Sequence, residues 1–196
     1  MEPIILASGS LRRQEYFRML GLPFSIMPSS VDEALDPALS SVTQAESIAR
    51  RKVEAVMVAL QDRMPPWILG ADTLIVSGSG IFGKPADKDD ARRMLLELSG
   101  CTHEVVTALA LYNGRSKTID CRSSVSSVDF IKLSEAELDW YLDTGEWQGV
   151  AGAYRIQGVA GCFAQEIRGS YSSIVGLPLH VFYAMLRQNG YSLSGS

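Results

Sequence analysis

Cysteine and histidine are scarce in this sequence, and their scarcity excludes several kinds of site. The 196 residues include three cysteines and two histidines, and the cysteines, Cys101, Cys121 and Cys162, form no CxxC pair. A zinc site built from cysteine and histidine is therefore excluded. A Ser–His–acid triad is disfavoured for the same reason, and the sequence has no G-x-S-x-G motif. Few, widely spaced cysteines are typical of a reducing compartment, so we expect a cytoplasmic protein.

An excess of charge of one sign and a long hydrophobic run are also missing. The chain has 18 Lys and Arg against 22 Asp and Glu, a net charge of −4. That balance creates no field that attracts nucleic acid or anionic lipid, so we predict neither partner. The longest apolar stretch, Val175 to Leu186, is interrupted by Pro178 and His180 and falls short of the roughly 18 residues that span a bilayer.

What the sequence does contain is a mixed order of strand and helix patterns. Predicted strands lie at residues 4–7, 24–27, 67–76, 104–112 and 117–131, and predicted helices at 11–20, 43–60, 87–98, 134–145 and 178–188. Thr43 and Glu46 have capping-box spacing, as do Ser134 and Glu137. This order predicts an α/β fold with a mixed central sheet flanked by helices. No repeat or linker divides the chain, so we predict one domain over residues 1–196.

A glycine-rich segment matches two phosphate-binding patterns, and both matches fail in detail. Residues 78–84 read as GxxxxGK, but Pro85 stands where a P-loop needs a Ser or Thr to bind Mg²⁺. They also read as GxGxxG, but no helix begins within the motif. We therefore predict a hairpin tip between Val76 and Ile81. Lys84 remains a candidate phosphate ligand, because a lysine can bind phosphate without a P-loop.

The first predicted strand and helix are joined by a segment suited to an anion. Ser8 and Ser10 form a small-residue turn, and Arg12 and Arg13 lie in the first helical turn. Free backbone N–H groups, hydroxyls and guanidinium groups together make an anion cradle. Two solvated arginines on a helix surface are the alternative interpretation of this segment.

Asp72 is anomalous because it interrupts an apolar strand pattern. A carboxylate in a buried segment needs a partner or a metal, and one that faces a cleft can act as a general base. The alternative is a side chain that binds nearby backbone at a bulge. Cations at Arg12, Arg13, Lys52 and Lys84, together with carboxylates at Glu33 and Asp72, would suit Mg²⁺-assisted chemistry on a polyphosphate.

Seven separated motifs resemble the Maf family in order and spacing, over nearly the whole chain. They are Leu6-Ala-Ser-Gly-Ser-Leu-Arg-Arg, Asp32-Glu33, Gly70-Ala-Asp-Thr73, Gly83-Lys-Pro85, Leu98-Ser-Gly-Cys-Thr-His-Glu104, Gly152-Ala-Tyr-Arg-Ile-Gln-Gly158 and Gly169-Ser-Tyr-Ser-Ser-Ile-Val-Gly-Leu-Pro178. The resemblance implies a nucleoside triphosphate pyrophosphatase that cleaves the α–β phosphate bond. It also implies a deep cleft like that of inosine triphosphate pyrophosphatases, a divalent cofactor (Mg²⁺ or Mn²⁺) and a homodimer.

The same resemblance implies roles for individual residues. Asp72 falls on the catalytic carboxylate, and Glu33 joins it near the metal. Lys52 and Lys84 fall on the lysines that meet phosphate. Together with the predicted anion cradle they would bind the substrate, chiefly its phosphates; the cradle residues are Ser8, Ser10, Arg12 and Arg13. Arg12, Thr73 and Gln157 occupy the three positions that divide the family by substrate, and they look like the dTTP/UTP-cleaving branch. Gln157 can both donate to and accept from the O4/N3–H edge of a pyrimidine. The same pocket would admit modified pyrimidines.

One stretch departs from the family pattern. Gly149 and Val150 replace a usual Asp-Lys pair, and Arg155 replaces a usual glycine. We hypothesise that Arg155 supplies the cation lost at position 150; a solvated loop arginine is the alternative. The departure also leaves open a second class of function, a catalytically weakened nucleotide-binding regulator of cell division and septum formation.

Overall fold

A computed structural model describes residues 1–36, 38–61, 65–78 and 80–193, and these residues form seven strands and six helices. The strands are β1 (Ile4–Leu6), β2 (Phe24–Ile26), β3 (Trp67–Ser77), β4 (Gly80–Phe82), β5 (Thr102–Asn113), β6 (Thr118–Phe130) and β7 (Ala164–Arg168). The helices are α1 (Leu11–Met19), α2 (Ser41–Leu60), α3 (Lys88–Leu98), α4 (Glu135–Asp143), α5 (Tyr171–Val175) and α6 (Leu179–Gln188). Two 3₁₀ segments, Ala151–Ala153 and Val159–Phe163, lie between α4 and β7.

The strands form one mixed sheet in the order β2-β1-β3-β5-β6-β7, and β4 pairs with β3. β1 runs parallel to both neighbours, with Ile4 opposite Phe24 on one side and Trp67 on the other. β4 and β7 pair antiparallel with β3 and β6. The mixed α/β fold predicted from the sequence is therefore confirmed. Val76 lies opposite Ile81, which also confirms the predicted hairpin.

By their internal contacts the described residues divide into two units, and β3, β5 and β6 contribute residues to both. The first unit comprises Met1–Asp72, Thr107–Ser124 and the chain from Gly176 onward; the second comprises Thr73–Val106 and Val125–Val175. This division tests neither the single domain nor the deep cleft that the sequence predicts, so both stay predictions.

Aromatic and aliphatic side chains of α1, α6 and the strands form the core of the first unit. The rings of Phe17 in α1 and Phe182 in α6 lie 5.4 Å apart, and Phe17 also contacts Phe24 of β2. Trp67 of β3 is fully buried and packs edge-on against Tyr191. This packing fixes α1 against the sheet and so holds the turn that precedes it.

The second unit has an aromatic core. His103 of β5 packs edge-on against Phe130 of β6 and Tyr154, and its Nε2 lies 2.8 Å from the Tyr154 hydroxyl. Phe163 packs edge-on against Phe130 and against Tyr141 of α4. Burial lowers the pKa of His103 from 6.5 to about 4, because the charged imidazolium would lose its hydration there.

The structure corrects one predicted boundary and confirms another. The predicted capping box of Thr43 and Glu46 is wrong: α2 begins at Ser41, and Ser40 Oγ accepts the Thr43 N–H at 3.1 Å. Ser40 takes the N-cap because its extended backbone directs its hydroxyl at the first free N–H groups. The predicted capping box of Ser134 and Glu137 is confirmed at the start of α4. Among the described residues, no helix has the length and hydropathy to cross a membrane.

Candidate active site

A lysine links the two carboxylates that the sequence singled out. Lys52 Nζ lies 2.7 Å from Asp72 Oδ1 and 2.8 Å from Glu33 Oε1, and it also donates to the Ala71 carbonyl at 3.4 Å. Lys52 and Asp72 are both buried, whereas the Glu33 side chain is 38% exposed. The predicted candidates Lys52, Asp72 and Glu33 are therefore neighbours, and the Asp72 side chain binds a charged partner rather than its own backbone.

Close packing of α2 on β3 brings Lys52 to Asp72. Gly70 and Asp72 are two residues apart in the strand, so they face the same side of the sheet. A Cβ added to Gly70 would lie 2.3 Å from the Ala49 carbonyl oxygen and 2.8 Å from Val53 Cγ2. The helix can approach this strand only because position 70 has no side chain. In the sequence Gly70 stands out only as part of a motif, although an isolated glycine in an apolar strand is itself a signal of close approach.

The second carboxylate oxygen of Asp72 has no protein partner. Oδ2 is buried, and it accepts no hydrogen bond from any residue that the structure describes. Buried polar atoms are nearly always hydrogen-bonded, because leaving one unpaired costs about 1–3 kcal/mol. The unpaired buried oxygen of Asp72 can therefore accept a hydrogen bond from a water molecule or a ligand, or bind a cation.

Residues of the predicted anion cradle form hydrogen bonds with one another. Arg13 is buried, and its guanidinium donates to Ser8 Oγ and to the Gly176 carbonyl, each at 2.9 Å. Ser8 Oγ also accepts the Ser10 N–H at 3.2 Å. Burial lowers the pKa of Arg13, while the negative charges of Asp72 and Glu33 oppose that shift. Arg13 thus shapes the turn, and half-buried Arg12 is the adjacent arginine that lies nearer the surface.

The other predicted site residues lie in the second unit. Thr73 is half-buried and follows Asp72 directly in β3. Lys84 is exposed two residues after β4 ends, and Gln157 is exposed between the two 3₁₀ segments. Their convergence with Asp72 on one substrate stays a prediction.

Arg51 is a residue that the sequence did not single out for the site. Its Nη1 donates to the Asp32 carbonyl at 2.6 Å, and so it holds the loop that carries Glu33. Arg51 directly precedes Lys52 in α2, and no local pattern in the sequence indicates a contact with a backbone carbonyl 19 residues away.

Arg155 lies beside the departure from the family pattern. Its Nη2 donates to the Gln148 carbonyl at 3.3 Å, and its buried Nε has no hydrogen-bond partner among the described residues. Val150 is buried, and Gly149 has a φ of 68°, a left-handed conformation that asparagine and aspartate tolerate best after glycine. The arginine is therefore next to the backbone of the altered pair.

Asp72 and Glu33 are carboxylates that could hold a divalent ion together with other ligands. Mg²⁺ commonly binds one or two protein carboxylates together with phosphate oxygens. Asp72 has a free buried oxygen and shares Lys52 with Glu33, which supplies such a pair. Within the described ranges no group of three or more His, Cys, Asp or Glu residues could hold an ion without other ligands.

Comparison with known proteins places this site in a family. The sequence profile described as Maf-like protein matches residues 3–189. The chain belongs to the Maf-like protein family. The resemblance that the seven motifs indicated is thus confirmed, and it extends over nearly the full length.

Relatives within the Maf family carry consistent names. A protein named "dTTP/UTP pyrophosphatase" from Hahella chejuensis is 44% identical over 190 residues, which cover 97% of this chain and 94% of the relative. A protein of the same name from Anaeromyxobacter dehalogenans is 43% identical, covering 97% and 95%. A solved nucleoside-triphosphatase / dITP/XTP pyrophosphatase from Mycobacterium abscessus aligns over 95% of this chain and 97% of its own, at 15% identity and a TM-score of 0.41. A score of that size supports no conclusion about function.

Proposed function

We propose that this chain hydrolyses pyrimidine nucleoside triphosphates, dTTP and UTP, to the nucleoside monophosphate and pyrophosphate. The observation that carries the proposal is the buried Asp72 carboxylate, which has one oxygen on Lys52 and the other unpaired. Such an oxygen is poised to accept a proton from water. The names of the relatives at 39–44% identity point to the same reaction and substrates, and they do not favour the alternative of a weakened regulator.

The reaction is an in-line attack of water on the α-phosphorus. A bond forms between the water oxygen and the α-phosphorus, and the bond from that phosphorus to the α–β bridging oxygen breaks. Asp72 Oδ2 takes the proton that water loses, and pyrophosphate leaves with the bridging oxygen. Positioned cations stabilise the charge that develops on the phosphoryl oxygens.

The other predicted residues bind and orient the triphosphate. Ser8 and Ser10 offer hydroxyl and backbone donors at the start of α1, where anions bind favourably. Arg12 and Lys84 add cations with accessible side chains. Lys52 already contacts two carboxylates, so its single positive charge offsets only part of their negative charge and would be shared with any phosphate nearby. Arg13 acts mainly by holding Ser8.

A divalent cation, Mg²⁺ or Mn²⁺, would be held by Asp72 and Glu33. When bound, it would neutralise charge on the phosphates and make them better electrophiles. The fit rests on the Glu33 carboxylate that shares the Lys52 ammonium and on Asp72, whose two oxygens have about four lone-pair sites, enough for Lys52, the ion and the proton from water.

Base recognition falls to Arg12, Thr73 and Gln157. The amide of Gln157 can donate to O4 and accept from N3–H of uracil or thymine. Groups at C5 would be sensed by shape alone, so modified pyrimidine triphosphates also belong to the proposed substrate range. We further propose that the protein is cytoplasmic and binds neither nucleic acid nor membrane. We also propose that it is a homodimer, and light scattering of the purified protein tests its mass in solution.

Isotope labelling tests the proposed bond cleavage directly. The protein is incubated with dTTP and Mg²⁺ in ¹⁸O-labelled water, and the products are analysed by mass spectrometry. Attack at the α-phosphorus places the label in dTMP, with unlabelled pyrophosphate as the second product. Label in pyrophosphate would mean attack at the β-phosphorus, and release of orthophosphate with dTDP would mean attack at the γ-phosphorus. Either result overturns the proposal.

A further inference from the structure

Gln157 lies in a short turn, Arg155–Gly158, that a backbone hydrogen bond closes. The Gly158 N–H donates to the Arg155 carbonyl at 3.0 Å, and Gln157 is exposed within this turn. An exposed side chain on a short turn gains no orientation from core packing. Its direction therefore depends on what fixes the backbone at the two ends of the turn.

Two side chains from the region of α4 fix those ends. Before Gln157, the Arg155 N–H donates to the hydroxyl of buried Tyr141 at 3.3 Å. After it, the Val159 N–H donates to Glu146 Oε2 at 2.8 Å. Glu146 is the charged member of the pair, and hydrogen bonds to ionised acceptors are roughly twice as strong as neutral ones.

The turn leaves space for the Glu146 carboxylate. A Cβ added to Gly158 would lie 2.2 Å from Glu146 Oε2 and 2.8 Å from Oε1. The carboxylate thus sits directly on the backbone next to Gln157, in a space that any larger residue at 158 would fill. The backbone N–H of Glu146 donates to Thr144 Oγ1 at 3.1 Å, which ties the residue to the end of α4.

We propose that Glu146 is a positioning residue for pyrimidine selectivity, acting through the backbone of the Arg155–Gly158 turn on Gln157. This inference rests on the proposed function. Glu146 contacts no base itself; it holds the turn so that the Gln157 amide meets the base at a fixed angle. A displacement of about 1 Å in such a group can lower the rate about 100-fold.

Three variants test the proposal, with dTTP and dCTP as paired substrates because they differ at the 4-position that Gln157 would contact. Glu146→Ala removes the acceptor, Glu146→Gln keeps a neutral acceptor, and Gly158→Ala displaces the carboxylate. We expect Glu146→Ala and Gly158→Ala to lower the dTTP/dCTP ratio of kcat/KM about tenfold, mainly by raising KM for dTTP. Glu146→Gln should retain most of the ratio. Glu135→Ala, which removes an exposed carboxylate bound to Arg92 at the other end of α4, is the matched control.

A double variant separates positioning from a general structural role. With Gln157→Ala already present, Glu146→Ala should change the ratio no further, since the group that it orients is gone. A merely structural role would lower kcat for both nucleotides equally and leave the ratio intact. The proposal is overturned by an unchanged ratio in both Glu146→Ala and Gly158→Ala, or by an equal further loss in the Gln157→Ala background.

Failure of the proposed function would look different. In that case the unaltered protein forms no monophosphate from either nucleotide, and the selectivity role falls with it. Amide hydrogen exchange at Val159 then still reports on the turn itself, and Glu146→Ala should accelerate that exchange at least tenfold.

Discussion

The Lys52 ammonium lies 2.7 Å from Asp72 Oδ1, and both side chains are buried. This contact occupies one oxygen of the carboxylate, and the other, Oδ2, has no donor in the part of the chain that the structure describes. The arrangement orients Asp72 and keeps its free oxygen available to a reactant. A buried ion pair of this kind contributes little net stability, because desolvation offsets most of the attraction. The pair is therefore better explained by function than by stability.

Replacing Asp72 by asparagine tests that explanation. Asp72→Asn keeps the shape of the side chain but cannot accept a proton, so kcat for dTTP should fall by about 100-fold or more. The measurement is pyrophosphate release under saturating nucleotide and Mg²⁺. Asp89→Asn, which removes an exposed carboxylate in the first turn of α3, is the control and should retain full turnover. Turnover near that of the unaltered protein in Asp72→Asn would remove this residue from the mechanism.

The close approach of α2 to β3 leads to a second prediction. Gly70→Ala would place a methyl group 2.3 Å from the Ala49 carbonyl oxygen, so the helix must move away from the strand. We expect the free energy of unfolding to fall by about 1–3 kcal/mol. The Lys52–Asp72 contact should loosen, and kcat should fall with it.

Urea denaturation and pyrophosphate release measure the two effects. Gly78→Ala is the matched control, because a Cβ there would meet no atom of the described residues within 4 Å. If Gly70→Ala is as stable and as active as Gly78→Ala, the helix position does not depend on this glycine.

Sequence patterns predicted the longer elements well, since long strands and amphipathic helices carry strong periodic signals. β7 and α5 were not predicted, because each spans five residues and neither has a clear apolar face. The start of α2 was placed at Thr43 rather than Ser41 because Ser40 and Thr43 both satisfy the composition of an N-cap. Composition alone does not distinguish two candidate caps three residues apart, because the choice depends on which backbone is extended, and that is Ser40 here.

The candidate site was likewise predictable from the sequence only in part. The sequence alone indicated that Asp72 is buried and needs a partner, because a carboxylate interrupts an apolar strand. It could not pair Asp72 with Lys52, since that contact depends on how a helix 20 residues away packs on the strand. Thr73 and Gln157 became candidates through family resemblance, because nothing in their local patterns is unusual. Glu146 was missed because an acidic residue in a polar segment gives no signal of a backbone contact.

Buried His103 leads to a prediction about pH. Its pKa is lowered by burial from 6.5 to about 4, so between these pH values the unfolded chain binds a proton that the folded chain does not. The contribution of this residue to stability is therefore complete above about pH 6.5 and is lost as the pH falls toward 4. The total loss is about 3 kcal/mol, from 1.36 kcal/mol for each unit of pKa shift.

Denaturation of the unaltered protein and of His103→Gln at several pH values isolates this effect, since the carboxylates are common to both proteins. The difference in unfolding free energy should fall by about 3 kcal/mol between pH 7 and pH 4. A constant difference for His103→Gln would contradict the assigned shift.

Arg155 leads to the last prediction, which concerns the departure at Gly149 and Val150. The buried Nε of Arg155 has no partner among the described residues, and the guanidinium lies beside the Gln148 carbonyl. An unpaired buried donor is available to a phosphate or a base oxygen. If Arg155 replaces the cation lost at position 150, Arg155→Gly should lower kcat/KM for dTTP by roughly 1.5–3 kcal/mol, the value of a charged hydrogen bond. Arg155→Lys keeps the charge and should lose less.

Restoring the usual family pair completes this test. Adding Gly149→Asp and Val150→Lys to Arg155→Gly should recover much of the lost kcat/KM, whereas adding them to the unaltered protein should change it little. Val150 is buried, so the lysine must extend its ammonium toward solvent or substrate, and urea denaturation of each variant separates lost stability from lost activity. If Arg155→Gly leaves kcat/KM unchanged, Arg155 is a structural loop residue and the altered pair has no compensating cation.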